Sequence, residues 1–165
     1  EIMSSDAIST ISASVFEDEV KAAMRGDYIF KSSSAATGSH KWLFSSAQIN
    51  ATAAILGTAN DYMSDGVAAA TGDIAKWIAI KNTGTTDGET VTTDGIVVLP
   101  TSTTVAYNTV GGIFVAPGEM AVLKMPFTTI NTIGAVSVSI VNGMPTADSS
   151  NPVLVKIAAL MDDVG

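Results

Sequence analysis

The stretch Ile113-Phe114-Val115-Ala116-Pro117-Gly118-Glu119-Met120-Ala121-Val122-Leu123-Lys124-Met125 decides the fold class of this chain. Two short apolar runs, Ile113–Val115 and Met120–Leu123, flank Pro117-Gly118. Proline holds φ near the value needed at the second position of a turn, and glycine accepts the positive φ of the third. The pattern reads as strand, type II turn, strand. Both runs are expected to supply interior, with Pro117-Gly118-Glu119 setting the register of a hairpin and Glu119 at its surface.

Working outward, the same grammar recurs. Ile74, Ile78 and Ile80 alternate with Ala75, Trp77 and Ala79, so both faces are apolar, as in a central strand. Asn82–Gly88 is rich in turn formers, and Asp87-Gly88 and Asp94-Gly95 predict hairpin turns. Ile96–Leu99 is a strand closed by Pro100. A Thr- and Ser-rich link then leads into Val105-Ala106-Tyr107. Val136, Val138 and Ile140 alternate with Ser137 and Ser139, which predicts a half-buried strand with a wet face. Asn142-Gly143 turns the chain, residues 145–152 read as a polar loop, and Val153–Ala159 as a last strand with Lys156 in its middle. Upstream, Tyr28–Lys31 reads as a short strand and Ser32–Ser39 as a small-residue loop. Lys41–Phe44 and Ile49–Leu56 are further apolar runs, and residues 57–73 are loop. Short strands at intervals of about 8–12 residues argue for a sandwich or barrel. The expected fold is mainly β, an antiparallel, jelly-roll-like β-sandwich over residues 27–165.

The beginning of the chain reads differently. Ser14-x-x-Glu17 is a capping box, and Phe16, Val20, Ala23 and Met24 share one helical face. Glu17, Asp18 and Glu19 in the first turn, and Lys21 and Arg25 nearer the end, suit the helix dipole. Gly26 can close the helix. A helix is therefore expected over 14–26, preceded by an extended arm over 1–13. In that arm Ile2, Met3, Ile8 and Ile11 stand among small polar residues. They belong to a frayed terminus or to an arm docking on a neighbouring subunit.

Composition narrows the function classes. The 165 residues suit one domain that buries roughly 70% of its unfolded surface. Only 15% are charged while 47% are hydrophobic; free monomers usually carry about 25% charged residues. Much of the exterior is left to Ser, Thr, Gly and Ala, as expected where partners cover it. The apolar runs are too short for a spanning helix, which needs about 20 residues, so no membrane is expected. Eight Lys and Arg against 16 Asp and Glu give a net charge of −8, and no basic patch favours nucleic acid. Without cysteine there is neither a disulfide framework nor a thiolate metal site.

No catalytic, cofactor or metal site is expected, and no small-molecule substrate. The one histidine, His40, lies in a Gly-Ser-His-Lys loop without a G-x-S-x-G elbow or an orienting partner in sequence. Asp61, Asp65 and Asp73, and Asp87, Glu89 and Asp94, form acidic clusters, but the spacing of a calcium loop is missing. Asp before Gly explains Asp65, Asp87 and Asp94 as turn formers. Trp42, Trp77 and Tyr107 are candidate sugar platforms, although Trp77 belongs to the most apolar strand and reads as core. Asn50-Ala51-Thr52 is a short glycosylation triplet. Gly111-Gly112 precedes a strand, so it is no phosphate loop.

Three blocks carry a resemblance: Lys76-Trp77-Ile78-Ala79-Ile80-Lys81-Asn82-Thr83-Gly84, Gly112-Ile113-Phe114-Val115-Ala116-Pro117-Gly118-Glu119, and Val153 to Asp163. In this order they resemble small β-sandwich structural proteins of tailed bacteriophages, over roughly residues 74–163. The resemblance implies a non-enzymatic virion protein, made in the host cytoplasm and placed on the capsid surface. As head decoration or cement it would bind the major capsid protein and copies of itself. The alternatives are a neck, tail or fibre component, or a carbohydrate-binding sandwich.

Overall fold

The structure, a computed structural model, describes residues 7–16, 21–30, 40–51, 54–55, 62–63, 72–100, 112–129 and 132–162. Among the described residues the strands are β1 Ala7–Phe16, β2 Lys21–Phe30, β3 His40–Ile49, β4 Ala54–Ile55, β5 Tyr62–Met63, β6 Ile74–Asn82, β7 Gly95–Leu99, β8 Ile113–Val115, β9 Met120–Thr129, β10 Gly134–Val141, β11 Met144–Asp148 and β12 Val153–Asp162. Every pairing is antiparallel. One five-stranded sheet has the order β5-β3-β12-β6-β9. The other has the order β11-β10-β7-β8, with β4 beside β10. The mainly β, sandwich-like fold expected from the turn spacing is what forms.

The two sheets share one core. Ile78 and Ile80 of β6 and Val153, Val155, Ile157 and Ala159 of β12 meet Ile96 and Val98 of β7, Val115 of β8 and Ala135 of β10. β6 lies between β12 and β9, as its two apolar faces predict. Ile78 and Ile80 are fully buried, while Trp77 and Ala79 are only half-buried on the opposite, outer face of the sheet. Trp77 is thus not part of the inter-sheet core.

The decisive stretch does not form a hairpin. β8 pairs with β7 in one sheet and β9 with β6 in the other, so Pro117-Gly118 carries the chain from sheet to sheet. The turn itself is the type II turn expected: Gly118 has φ +80° and the Glu119 amide donates to the Ala116 carbonyl at 3.0 Å. A type II turn splays the strands on either side of it, because its twist opposes theirs; two-residue hairpins use the mirror-image types. The turn type therefore favours a crossover.

Three more expectations change. The first five residues of β10 have no wet face, since Gly134–Val138 are all buried. Ser137 and Ala135 face the shared core, opposite Ile96 and Val98. Val136 and Val138 form a second apolar cluster with Val97, Leu99 and Phe114 on the other side of that sheet. Alternation located the two faces but not which one was core, because both are covered. Asp94-Gly95 is not a tight hairpin turn either: Gly95 opens β7 without a positive φ. It is glycine because a Cβ there would lie 2.5 Å from the Phe114 ring and 3.1 Å from Ile140. Finally, Met144–Asp148 is not loop but strand β11, paired with β10 across the Asn142-Gly143 turn.

The helix expected over 14–26 is absent from the described part of that stretch. Ser14–Phe16 end β1 and Lys21–Gly26 open β2, with residues 17–20 outside the described set. The two strands pair from Ala7↔Phe30 to Phe16↔Lys21 as a separate two-stranded sheet. An isolated helix shorter than about 12–15 residues is marginal in water. The β-branched and aromatic Ile8, Thr10, Ile11, Val15, Tyr28, Ile29 and Phe30 favour the ladder. The extended arm is accordingly a hairpin strand from Ala7 on, with Ile8 opposite Ile29 and Ile11 opposite Gly26. Ile2, Met3 and residues 105–107 lie outside the described residues.

Candidate functional site at the turn end

Register brings most of the turns to one end of the sandwich. β6, β8 and β10 finish there, and β7, β9, β11 and β12 begin there. The K-N-T-G and V-A-P-G-E blocks, more than thirty residues apart in sequence, meet at this end. Asn82 joins them. Its amide donates to the Glu119 carbonyl and its carbonyl accepts from the Gly118 amide, both at 3.0 Å. Its side-chain Nδ2 donates to the carbonyls of Asp94 (3.2 Å) and Val115 (3.3 Å), and its Oδ1 accepts from the Gly84 amide at 2.8 Å. Asn82 is fully buried, so these bonds supply what water would otherwise give. One side chain thereby ties the ends of β6 and β8 to the start of β7.

Asp94 is the second tie. Its Oδ2 accepts from the Ser149 hydroxyl at 2.5 Å and from Asn151 Nδ2 at 3.1 Å. The Asn151 amide donates to Ser149 Oγ at 3.0 Å. Ser149 is buried and its amide donates to the Ser137 carbonyl at 3.0 Å. The 149–152 loop is therefore clamped to β10 and to the residue before β7, both in one sheet. Sequence reasoning gave Asp94 a turn role and passed over Asn82, Ser149 and Asn151. The available signal was that each is a small polar residue next to a strand end.

Between Gly84 and Thr92 a small projection forms. Thr85 bridges Val91, the Thr86 amide donates to the Thr90 carbonyl at 2.8 Å, and Gly88 at the tip has φ +105°. Asp87 Oδ1 accepts from the amides of Thr90 (2.7 Å) and Glu89 (2.9 Å), and Oδ2 from the Thr90 hydroxyl (3.1 Å). The Thr90 amide first, then the Glu89 amide and the Thr90 hydroxyl, hold the Asp87 carboxyl below its ordinary value of 3.8. Asp87 is a turn former, as its place before Gly predicts. Glu119 is exposed, and its Oε2 accepts from the Ala116 amide at 3.0 Å across the crossover turn.

The buried polar groups at this end hold its turns together. Ser149 and Asp94 are hydrogen-bonded, but β3 places His40 opposite Asp162, at the far end from Ile49 and Val153. Nine strand steps separate them, about 30 Å. The far end holds its own polar pair, with Lys76 Nζ 2.9 Å from Asp162 Oδ2, both buried, beside a β-bulge between β6 and β12. Asp73, one of the expected acidic cluster, is also buried, while Asp61 and Asp65 lie outside the described residues. Among the described residues no three His, Asp or Glu side chains converge as metal ligands.

Beside the exposed Asp87, Glu89 and Glu119, this end also presents apolar side chains. Val91, Met120, Val141 and Met144 each stand more than half exposed, and all four lie at or beside the turns just described. Val141 and Met144 flank Asn142-Gly143, whose φ values of 53° and 77° mark a type I′ hairpin turn. No protein family, curated protein or solved structure matches the chain.

Proposed function

We propose that this chain is a non-enzymatic structural protein of a tailed-phage virion, a head decoration or cement protein that binds and stabilises the capsid shell. One observation carries the reading. At the turn end the buried polar groups Asn82, Asp94 and Ser149 are bonded into holding the turns, while Val141 and Met144 face solvent on the rigid frame so made. Exposed apolar side chains on a frame braced by buried polar groups suit docking on a protein surface, and closed symmetry would multiply each weak contact. The turn blocks that carry the phage resemblance are the ones that meet at this end. A neck, tail or fibre position is the alternative within the same class.

The test uses head shells assembled without this protein. Added protein should bind saturably, at a copy number on the order of hundreds per particle, and raise resistance to heat and osmotic shock. A copy number of about six or twelve would move it to the neck or tail. Absence of binding, with unchanged shell resistance, would overturn the reading.

A further inference from the structure

Lys81 and Lys156 are directly opposite one another on neighbouring strands β6 and β12, both exposed on the outer face of their sheet. Like charges at facing positions are destabilising. Among the described residues no acidic side chain forms an ion pair with either lysine, although the chain has 16 Asp and Glu. The two lysines rim an open groove of about 200 Å³. Ala79 and Ala158 form its floor, and Phe44 and Met120, both more than half exposed, form its walls. Such a groove suits a ligand with an apolar anchor flanked by carboxylates.

The chain itself displays that chemistry. The tip between Gly84 and Thr92 carries exposed Asp87 and Glu89 beside Val91, which is 80% exposed. The Thr83 amide and hydroxyl donate to the Leu154 carbonyl and the Leu154 amide donates to the Thr85 carbonyl, which holds the tip at the sheet end. A Cβ on Gly88 would lie 3.8 Å from the Leu154 side chain, two residues from Lys156. The tip and groove of one copy are thus neighbours, and neither acidic residue of the tip is ion-paired with the lysines.

We propose that the Lys81–Lys156 groove receives the Asp87–Val91 tip of a second copy of this chain, in a two-fold pair where each copy gives its tip and takes the other's. With both patches at one end of one face, an isologous contact satisfies both and closes at two copies. The inference rests on the assembly reading above and names one of its surfaces.

Charge exchange tests it, with mass read by sedimentation and light scattering. The wild type should be a dimer. A groove variant, Lys81→Glu with Lys156→Glu, and a tip variant, Asp87→Asn with Glu89→Lys, should each weaken the dimer at least tenfold. The asparagine side chain in the tip variant keeps the turn-forming acceptor. Mixed together, the two variants should regain the dimer, because the altered groove then meets the altered tip and the unaltered groove the unaltered tip. A monomeric wild type, variants that dimerise as well as the wild type, or a mixture that stays monomeric would each overturn the proposal. If the groove variant fails to fold, the tip variant alone still decides, since it must fail to self-associate. Shell binding is a separate measurement, so a failed pair with intact shell binding would leave the assembly reading standing.

Discussion

At the scale of single residues, stability at the turn end concentrates in side chains that look ordinary in the sequence. Asn82 satisfies two carbonyls and one amide from three separate segments. Asn82→Ala should therefore destabilise the fold by about 1–3 kcal/mol for each buried group left without a partner. Urea denaturation would measure it, and a loss under about 0.5 kcal/mol, the size of a neutral surface change, would contradict the assignment. Asp87 offers a pH test. Its folded pKa lies below the ordinary 3.8, so its support for the tip is fully present above 3.8. That support is lost as pH falls through the lower folded value. Amide NMR shifts of Glu89 and Thr90 should titrate with a midpoint below 3.8; a midpoint at or above that value would remove the turn bonds from the picture.

At the scale of elements, the close fit of β8 over β7 depends on Gly95, which leaves room for the Phe114 ring. Gly95→Ala should cost about 1–3 kcal/mol, the usual range for overpacking, seen as a lower melting temperature. Retained stability would mean that Phe114 has an alternative seat. Strands and turns were largely legible in the sequence, because turn residues and apolar runs act locally. Ile74–Ile80, Ile96–Leu99, the type II turn at Pro117-Gly118 and the turn at Asn142-Gly143 all stand where the residues placed them. Partnership was less legible. A Pro-Gly turn between two apolar runs was read as a hairpin, yet its type II geometry sends β8 and β9 to different sheets. The alternation in β10 was read with its valines inward, although Ser137 and Ala135 face the shared core. Capping and amphipathic signals at 14–26 are helix signals, yet the described residues of that stretch, 14–16 and 21–26, pair as the ends of β1 and β2. Of the candidate site, Asp87 and the surface place of Glu119 were readable from turn chemistry. The Asn82 and Asp94 ties, and the facing Lys81 and Lys156, depend on register, which no local pattern specifies.

At the scale of the whole molecule, the two ends of the sandwich differ in what they expose. The far end buries its charge in the Lys76–Asp162 pair, and breaking such a pair by removing one partner usually costs about 3–5 kcal/mol. The turn end is braced by hydrogen bonds and tipped with apolar side chains, and the exposed Lys81 and Lys156 lie on the sheet face beside it. A particle protein can use that asymmetry, fixing one end to a shell while neighbours meet across the adjoining face. Docking through the turn end is the central claim, and Val141→Asp with Met144→Asp tests it most directly. Both positions are exposed at a hairpin tip, so the melting temperature should stay within a few degrees of wild type. The measurement is co-sedimentation with head shells that lack the protein. Wild type is expected to pellet with the shells while the folded double variant stays in the supernatant; equal pelleting of the two, or a wild type that remains in solution, would contradict docking through this end.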